Sequence, residues 1–299
     1  MKRVISAMLI FITVIGLMPA ALAEAAPEAP TTKHICLMDA NTGAVLYEKD
    51  ARSKAYPAST TKIMTTILAL ELCDDLEEKV NVGSNFDKRG SLMKFSNNEE
   101  LRIIDLIYGT MMVSGNDAAS ALAIHISGSQ DEFSKLMNAK AAEIGMNDTH
   151  FVKANGLHDD NHYSTAYDMA LIGAYALENE TFREIIAQQE IYVSDLTGKH
   201  SCSVTNADRF LQEYSGALGI KTGYTNRAGH CFVGAAERDG VRLVSAVLGS
   251  GWGDAGKQKK WTDTKVLMDY GFAVFHPYEA VQAGESFGEI RITDSPTAQ

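Results

Sequence analysis

Three short strings in this chain carry side chains able to perform acyl transfer. In Ser59-Thr60-Thr61-Lys62 a hydroxyl and an amine are spaced i, i+3, so on a helix both project from one face. Attack on a carbonyl carbon needs an alkoxide, and an adjacent amine can take the serine proton once burial or nearby cations lower its pKa. A helix N-terminus would add partial positive charge at Ser59. The same spacing is common by chance, and its ordinary reading is an N-cap serine followed by a solvated lysine. Ser114-Gly115-Asn116 offers a second hydroxyl and an amide, and Lys221-Thr222-Gly223 offers a cation and a hydroxyl beside a glycine that admits close backbone approach. Each triplet is commonplace; their order, with offsets of 55 (59 to 114) and 107 (114 to 221) residues, is not.

The surrounding sequence assigns each string an element. Ile63, Met64, Ile67, Leu68 and Leu70 have the spacing of a buried helix, which predicts a helix start near Ser59. Residues 101–123 are helical in pattern except at Ser114-Gly115-Asn116, where glycine makes a tight corner between two helices. Lys221 falls in a predicted strand at 218–223, followed by strands at 230–236 and 242–248 that are joined by the turn Asp239-Gly240. Strands at 34–39 and 44–48 form a hairpin about Asn41-Thr42-Gly43, and helices are predicted over 130–144, 166–177, 181–188 and 261–275. This order predicts an α+β fold. Both chain ends complete an antiparallel sheet flanked by helices, with a helical subdomain between them.

Composition narrows the function. The 299 residues are 45% hydrophobic, with 24 Gly and 6 Pro, enough for one or two packed domains with a sizeable core. Lys and Arg total 27 against 38 Asp and Glu, a net charge of -11, and no basic run exceeds a pair such as Lys259-Lys260, which argues against a nucleic-acid partner. Cys36, Cys73, Cys202 and Cys231 show neither zinc-ligand spacing nor a disulfide framework. Lys2 and Arg3, an apolar run over 7–18 and Ala21-Leu22-Ala23 predict a cleaved signal peptide at 1–23, the run being shorter than the roughly 20 residues of a spanning helix. The mature protein would then work outside the cytoplasm, where cysteine pairing is permitted.

The stretches 37–47, 57–65, 162–170 and 219–225 closely resemble the low-molecular-mass penicillin-binding proteins. Within that group the resemblance is to serine D-alanyl-D-alanine carboxypeptidases of the Gram-positive sporulation-associated type, and it covers residues 32–275. It implies a β-lactamase/transpeptidase-like fold, removal of the terminal D-Ala from peptidoglycan stem pentapeptides through an acyl-enzyme, and covalent inhibition by β-lactam antibiotics. No cofactor or metal is implied. By position, Ser59 would be the nucleophile and Lys62 its general base, while Ser114 and Asn116 would relay protons and hold the substrate amide. Lys221 and Thr222 would bind near the terminal carboxylate, with Gly223, Tyr224 and Thr225 completing the substrate-binding strand and the N–H groups of Ser59 and Tyr224 forming an oxyanion hole. Lys260 falls where some relatives carry a basic residue for the carboxylate, although a lysine near the start of a surface helix is ordinarily solvated. Two departures, Ala217-Leu218-Gly219 where an Asp is usual and Asn206-Ala207-Asp208 where Asn-Thr-Asn is usual, bear on substrate positioning.

Many members continue into a β-rich domain and an amphipathic membrane anchor. Here the expected organisation is a catalytic domain at 24–277 and a short remnant at 278–299 with one strand at 287–292, no stable membrane anchor being expected. The protein would lie in the cell wall or periplasmic space. Two other functions use the same motifs. A serine β-lactamase needs a glutamate in an E-x-x-L-N context, and the nearest string, Glu143 to Asn147, ends a predicted helix; a non-catalytic wall-binding or β-lactam-sensing protein would need no intact Ser59, Lys62 and Lys221. Among other residues, His158 and His162 read as loop and cap residues in preference to metal ligands, Cys231 as a buried small residue, and Asp168 as a first-turn carboxylate supporting the site. Trp252 and Trp261 flank a glycine-containing loop at 251–256 and either line the cleft or pack.

Overall fold

The computed structural model describes residues 30–194 and 201–275, apart from the Cys202 side chain. In chain order these form strands β1 (His34–Asp39) and β2 (Val45–Lys49), then one turn of 3-10 helix (Ala58–Thr61) running into helix α1 (Lys62–Leu72). Short strands β3 (Lys79–Asn81) and β4 (Glu100–Arg102) precede helices α2 (Ile103–Met111), α3 (Asn116–Ser127), α4 (Gln130–Ile144), α5 (Ala166–Glu178) and α6 (Glu180–Ala187). The chain continues through β5 (Glu190–Ser194), β6 (Ser201–Thr205), the single turn α7 (Phe210–Glu213), β7 (Ala217–Thr225), β8 (Gly229–Arg238) and β9 (Val241–Leu248), and ends in α8 (Gly253–Val274).

Five strands pair antiparallel in the order β2-β1-β9-β8-β7, so both ends of the described chain complete one sheet, and β7 forms an edge. β1, β8 and β9 read as nearly continuous apolar runs because both their faces are covered. The period of two splits β1 cleanly. Cys36 and Met38 join the core shared with α1 to α6, whereas Ile35 and Leu37 face the second core, which α8 closes with Trp261, Leu267 and Met268. Each fully buried side chain of this size contributes roughly 1.5–3 kcal/mol, so α8 is firmly docked and can carry polar groups at its N-terminal end to the site.

The α+β fold expected from the sequence is the fold observed. The α4 bounds coincide with prediction because Ser129 caps its N-terminus, accepting from Glu132 N–H at 3.1 Å, and Gly145 ends it at φ +93°. Most other boundaries shift by one or two residues, and three differences bear on the site. Ser59 lies in the 3-10 turn and α1 proper starts at Lys62. Residues 100–102 pair with 79–81, so α2 begins two residues later than expected. Helix α8 begins at Gly253, well before residue 261, so most of the expected loop at 251–256 is its first turn; Gly253 and Gly256 hide that turn from propensity. The signal peptide at 1–23 and the strand at 287–292 lie outside the described residues.

Cys36 and Cys231 are buried free thiols and Cys73 is partly buried. Burial pushes Cys36 up to about 12 and Cys231 up to about 11. Among the described residues no helix is long and apolar enough to cross a membrane, and no cluster of His, Cys, Asp or Glu could hold a metal ion.

Candidate active site

Ser59 sits in a strained turn. The preceding Ala58 has φ +51°, a conformation disfavoured for any residue with a Cβ, and the flanking caps are Pro57 and Thr61. The Ser59 hydroxyl therefore does not cap the helix; Lys62 Nζ reaches it at 3.0 Å. The Lys62 amine is fully buried and has two further contacts, Asn116 Oδ1 at 2.7 Å and the Asn155 carbonyl oxygen at 2.7 Å. Burial holds Lys62 well below the usual lysine range and the charge of Lys221 lowers it further, while Asp117 and Asp87 oppose both.

The corner between α2 and α3 supplies the next pair. Ser114 takes φ +61° there, and Asn116 begins α3 with its side chain fixed at both ends, Oδ1 by Lys62 and Nδ2 by donation to the Arg89 carbonyl at 2.7 Å. The third string lies on edge strand β7. A Cβ on Gly223 would lie 3.0 Å from Pro57 O and 3.1 Å from Ser59 N, so glycine is what allows this strand to lie against the serine turn.

Between these elements opens a cleft of about 610 Å³, bordered by Ser59, Ser114 and Asn116 on one side and by Thr222, Gly223, Tyr224 and Thr225 on the other. Lys260 and Trp261 also border it, whereas Lys62 and Lys221 are buried. All ten residues singled out from the sequence thus come together. Lys260 departs from the solvated state expected of a helix-surface lysine: it is 4% exposed, with its ammonium 4.3 Å from the Trp261 ring centroid.

The cleft is cationic in an acidic protein. Arg209, Lys257 and Lys260 line it together with His230, which burial and the nearby lysines keep neutral, and there is no carboxylate among the lining residues. Arg209 is paired with Glu213 at 2.5 Å. Burial, aided by Lys260, pushes Lys221 down to about 7. Burial also pushes Lys260 down to about 8, against the pull of Asp208. Asp208 is itself raised to about 6 by burial, although it accepts the N–H groups of Phe210 at 2.9 Å and Ile220 at 3.2 Å. These charges make the cleft suited to a substrate with a free carboxylate.

The remaining singled-out residues have structural partners. His162 accepts the Val152 N–H at Nδ1 and faces Thr61 Oγ1 through Nε2, and burial drives its pKa to about 3, so it is neutral and internally bonded. Asp168 is buried and accepts from Asp148 N–H at 2.9 Å and Thr149 Oγ1 at 2.7 Å. Trp261 borders the cleft; Trp252 is exposed and donates to Asn226 O. Glu143 is solvent-facing and paired with Lys140 at 2.8 Å, away from the cleft. Sequence reasoning missed Asn155, which acts through its carbonyl and has no side-chain signature, and also Arg209 and Lys257; Asp208 it noted only within the triplet 206–208. For Lys257 a signal existed: lysines spaced i, i+3 near the N-terminal end of a helix, where the dipole disfavours cations.

The sequence profile of D-alanyl-D-alanine carboxypeptidases matches residues 21–251. The chain is 32% identical over 302 aligned positions to D-alanyl-D-alanine carboxypeptidase DacF of Bacillus subtilis, covering 98% of this chain and 76% of that protein. It is 35% identical over 250 positions to D-alanyl-D-alanine carboxypeptidase DacB2 of Mycobacterium tuberculosis, covering 83% and 84% of the two chains. Among solved structures, the Streptomyces K15 DD-transpeptidase superposes with a TM-score of 0.77 at 29% identity, over 83% of this chain and all of that one (100%). A penicillin-binding protein homologue from Mycobacterium tuberculosis gives 0.79 at 33% identity, over 87% and 98%.

Proposed function

The chain belongs to the D-alanyl-D-alanine carboxypeptidase family, and from that premise we propose that it removes the C-terminal D-Ala of peptidoglycan pentapeptides through an acyl-enzyme on Ser59. The observation that carries this reading is the bonding of Lys62. A neutral amine has two N–H groups and one lone pair. Asn116 Oδ1 and the Asn155 carbonyl can only accept, so they take the two N–H groups and leave the lone pair aimed at the Ser59 hydroxyl 3.0 Å away. Burial keeps the amine in that neutral form.

In acylation the Ser59 Oγ–carbonyl carbon bond forms as the hydroxyl proton passes to Lys62 Nζ. The oxyanion is stabilised by the N–H groups of Ser59 and Tyr224. The C–N bond then breaks, and the D-Ala nitrogen receives the proton from Lys62 by way of the Ser114 hydroxyl. Water reverses the sequence: it attacks the ester, gives a proton to Lys62, and the proton returns to Ser59 Oγ as the shortened peptide leaves. Thr222 and Lys260 hold the terminal carboxylate at a cleft wall that carries no carboxylate of its own, and Lys221, buried behind Thr222, adds positive charge from beneath. β-Lactams acylate the same serine, but their cleaved amide nitrogen stays tethered to the acyl group where it obstructs the water that Lys62 would activate, and no carboxylate lines the cleft as a second base, so the penicilloyl-enzyme persists. Action outside the cytoplasm follows from the substrate, with residues 1–23 as the export signal and 24–277 as the catalytic domain.

Steady-state release of D-Ala from diacetyl-Lys-D-Ala-D-Ala, beside turnover of a chromogenic cephalosporin, tests the reading. D-Ala release with stoichiometric cephalosporin binding is expected. Rapid cephalosporin turnover without D-Ala release would make the protein a β-lactamase, and inertness toward both would make it a binding protein.

A further inference from the structure

Asp117 does not border the cleft, yet it is joined to both halves of the acylation site. It is the second residue of α3, where the helix N-terminus favours a carboxylate, and it is 2% exposed. Its oxygens bond beyond its own helix. Oδ1 accepts the N–H of Met93 at 2.9 Å as well as that of Ala118, and Oδ2 accepts the N–H of Lys94 at 2.8 Å. The neighbouring Asn116 grips the same segment, its backbone N–H donating to Ser91 O at 2.8 Å and its Nδ2 to Arg89 O at 2.7 Å. Residues 89–94 are therefore a strap tied at four points to two consecutive residues of α3. The strap lends Gly90 and Ser91 to the cleft wall. Its geometry needs holding, because Lys94 has φ +70°, a conformation that costs a non-glycine residue about 1–3 kcal/mol.

The second tie is electrostatic. The charged groups facing Lys62 are Lys221 from β7, Asp117 from α3 and Asp87 from the segment leading into the strap, with neutral His162 reached through Thr61. Of the two carboxylates Asp117 acts more strongly on the Lys62 amine, and Asp87 already spends its charge on Arg89 at 2.7 Å.

We propose that Asp117 is a positioning residue for acylation: its carboxylate fastens the strap that walls the cleft and supplies the buried negative charge against which Lys62 works. The proposal rests on the reading of Ser59 as nucleophile and Lys62 as base. It accounts for a carboxylate where a neutral cap would serve the helix alone, since an asparagine would present only one acceptor to the two strap N–H groups and would turn a donor toward the other.

The test is the pH profile of penicillin acylation, measured as a second-order rate constant for wild type, Asp117→Asn, Asp117→Glu and Asp117→Asn/Lys94→Gly, with circular dichroism to establish folding. Without the negative charge Lys62 loses its proton more readily, so in Asp117→Asn the ascending limb moves to lower pH by about one unit. The plateau falls at least tenfold because the strap is loosened. In the double variant glycine adopts the Lys94 conformation freely, so the plateau recovers while the limb stays shifted. Asp117→Glu keeps the limb in place and lowers the plateau, and it carries the test should the asparagine variant not fold. An ascending limb at the wild-type pH in folded Asp117→Asn, or one that shifts in Asp117→Glu, overturns the electrostatic role. A wild-type plateau in either single variant overturns the strap. Absence of acylation in the wild type would instead sink the underlying assignment of function.

Discussion

Gly156 packs so closely on Ala58 that a Cβ at position 156 would lie 2.0 Å from the Ala58 carbonyl oxygen. Both residues have positive φ, +76° and +51°, and each adjoins a working group: Asn155, whose carbonyl holds Lys62, and Ser59. This backbone contact fixes the separation of Lys62 and Ser59, the proposed base and nucleophile. Gly156→Ala should therefore lower stability by about 1–3 kcal/mol and slow penicillin acylation at least tenfold even where the protein is fully folded. Thermal melts and acylation rates on one preparation decide it, and a folded variant acylating at the wild-type rate would show that the contact does not control the geometry.

Ser59→Ala should abolish covalent labelling by penicillin and leave stability within about 1 kcal/mol of wild type, because the hydroxyl caps no helix. Mass spectrometry of the penicillin-treated protein checks both the loss of the adduct in the variant and its site in the wild type. An adduct on any other residue would sink the assignment.

Carboxylate binding should weaken as pH rises. Lys221 and Lys260 lose their charge near about 7 and about 8, while Lys62 must shed its proton to act as the proposed base, so kcat/KM should be bell-shaped with its descending limb set by the two lysines proposed to attract the carboxylate. Lys260→Gln should raise KM for the free-acid substrate about tenfold or more and leave an amidated substrate nearly unaffected. Since the charge of Lys260 lowers the pKa of Lys221, its removal should also move the descending limb to higher pH. Equal losses for acid and amide would place Lys260 outside carboxylate recognition.

Lys221→Met should be inactive but more stable. The amine is buried, and its contact with Thr222 O at 3.2 Å compensates little. Its pKa falls from 10.5 unfolded to about 7 folded, so below pH 7 the folded state bears the full cost of burying the charge, and above 10.5 that cost is gone. Wild-type stability should rise with pH across that window, and the variant should exceed it by on the order of a few kcal/mol at pH 6. Denaturant titrations at pH 6 and 10 measure the difference; a variant less stable at pH 6 would refute it.

Legibility followed the kind of signal each element carries. The helix Gln130–Ile144 and the buried strands could be read because period and caps agree with the tertiary fold. The pair at 79–81 and 100–102 could not, being three residues long and polar on alternate positions. At the site, side-chain chemistry announced Ser59, Lys62, Asn116 and Lys221. The carbonyl of Asn155 is common to every residue, and the burial of Lys260 depends on how Trp261 docks against Phe232 across the second core. Asp117 reads as an ordinary helix-start acid until the strap lies over it.

The buried thiols of Cys36 and Cys231 have a consequence in redox chemistry. Strand β9 runs between the two strands that carry them, which separates the cysteines by ~10 Å or more and forbids a mutual disulfide. Thiol–disulfide exchange begins from a thiolate, and pKa values of about 12 and about 11 leave almost none at neutral pH. Cys36 and Cys231 can therefore stay reduced even in oxidising solvent, and neither should form a mixed disulfide with oxidised glutathione while the protein is folded.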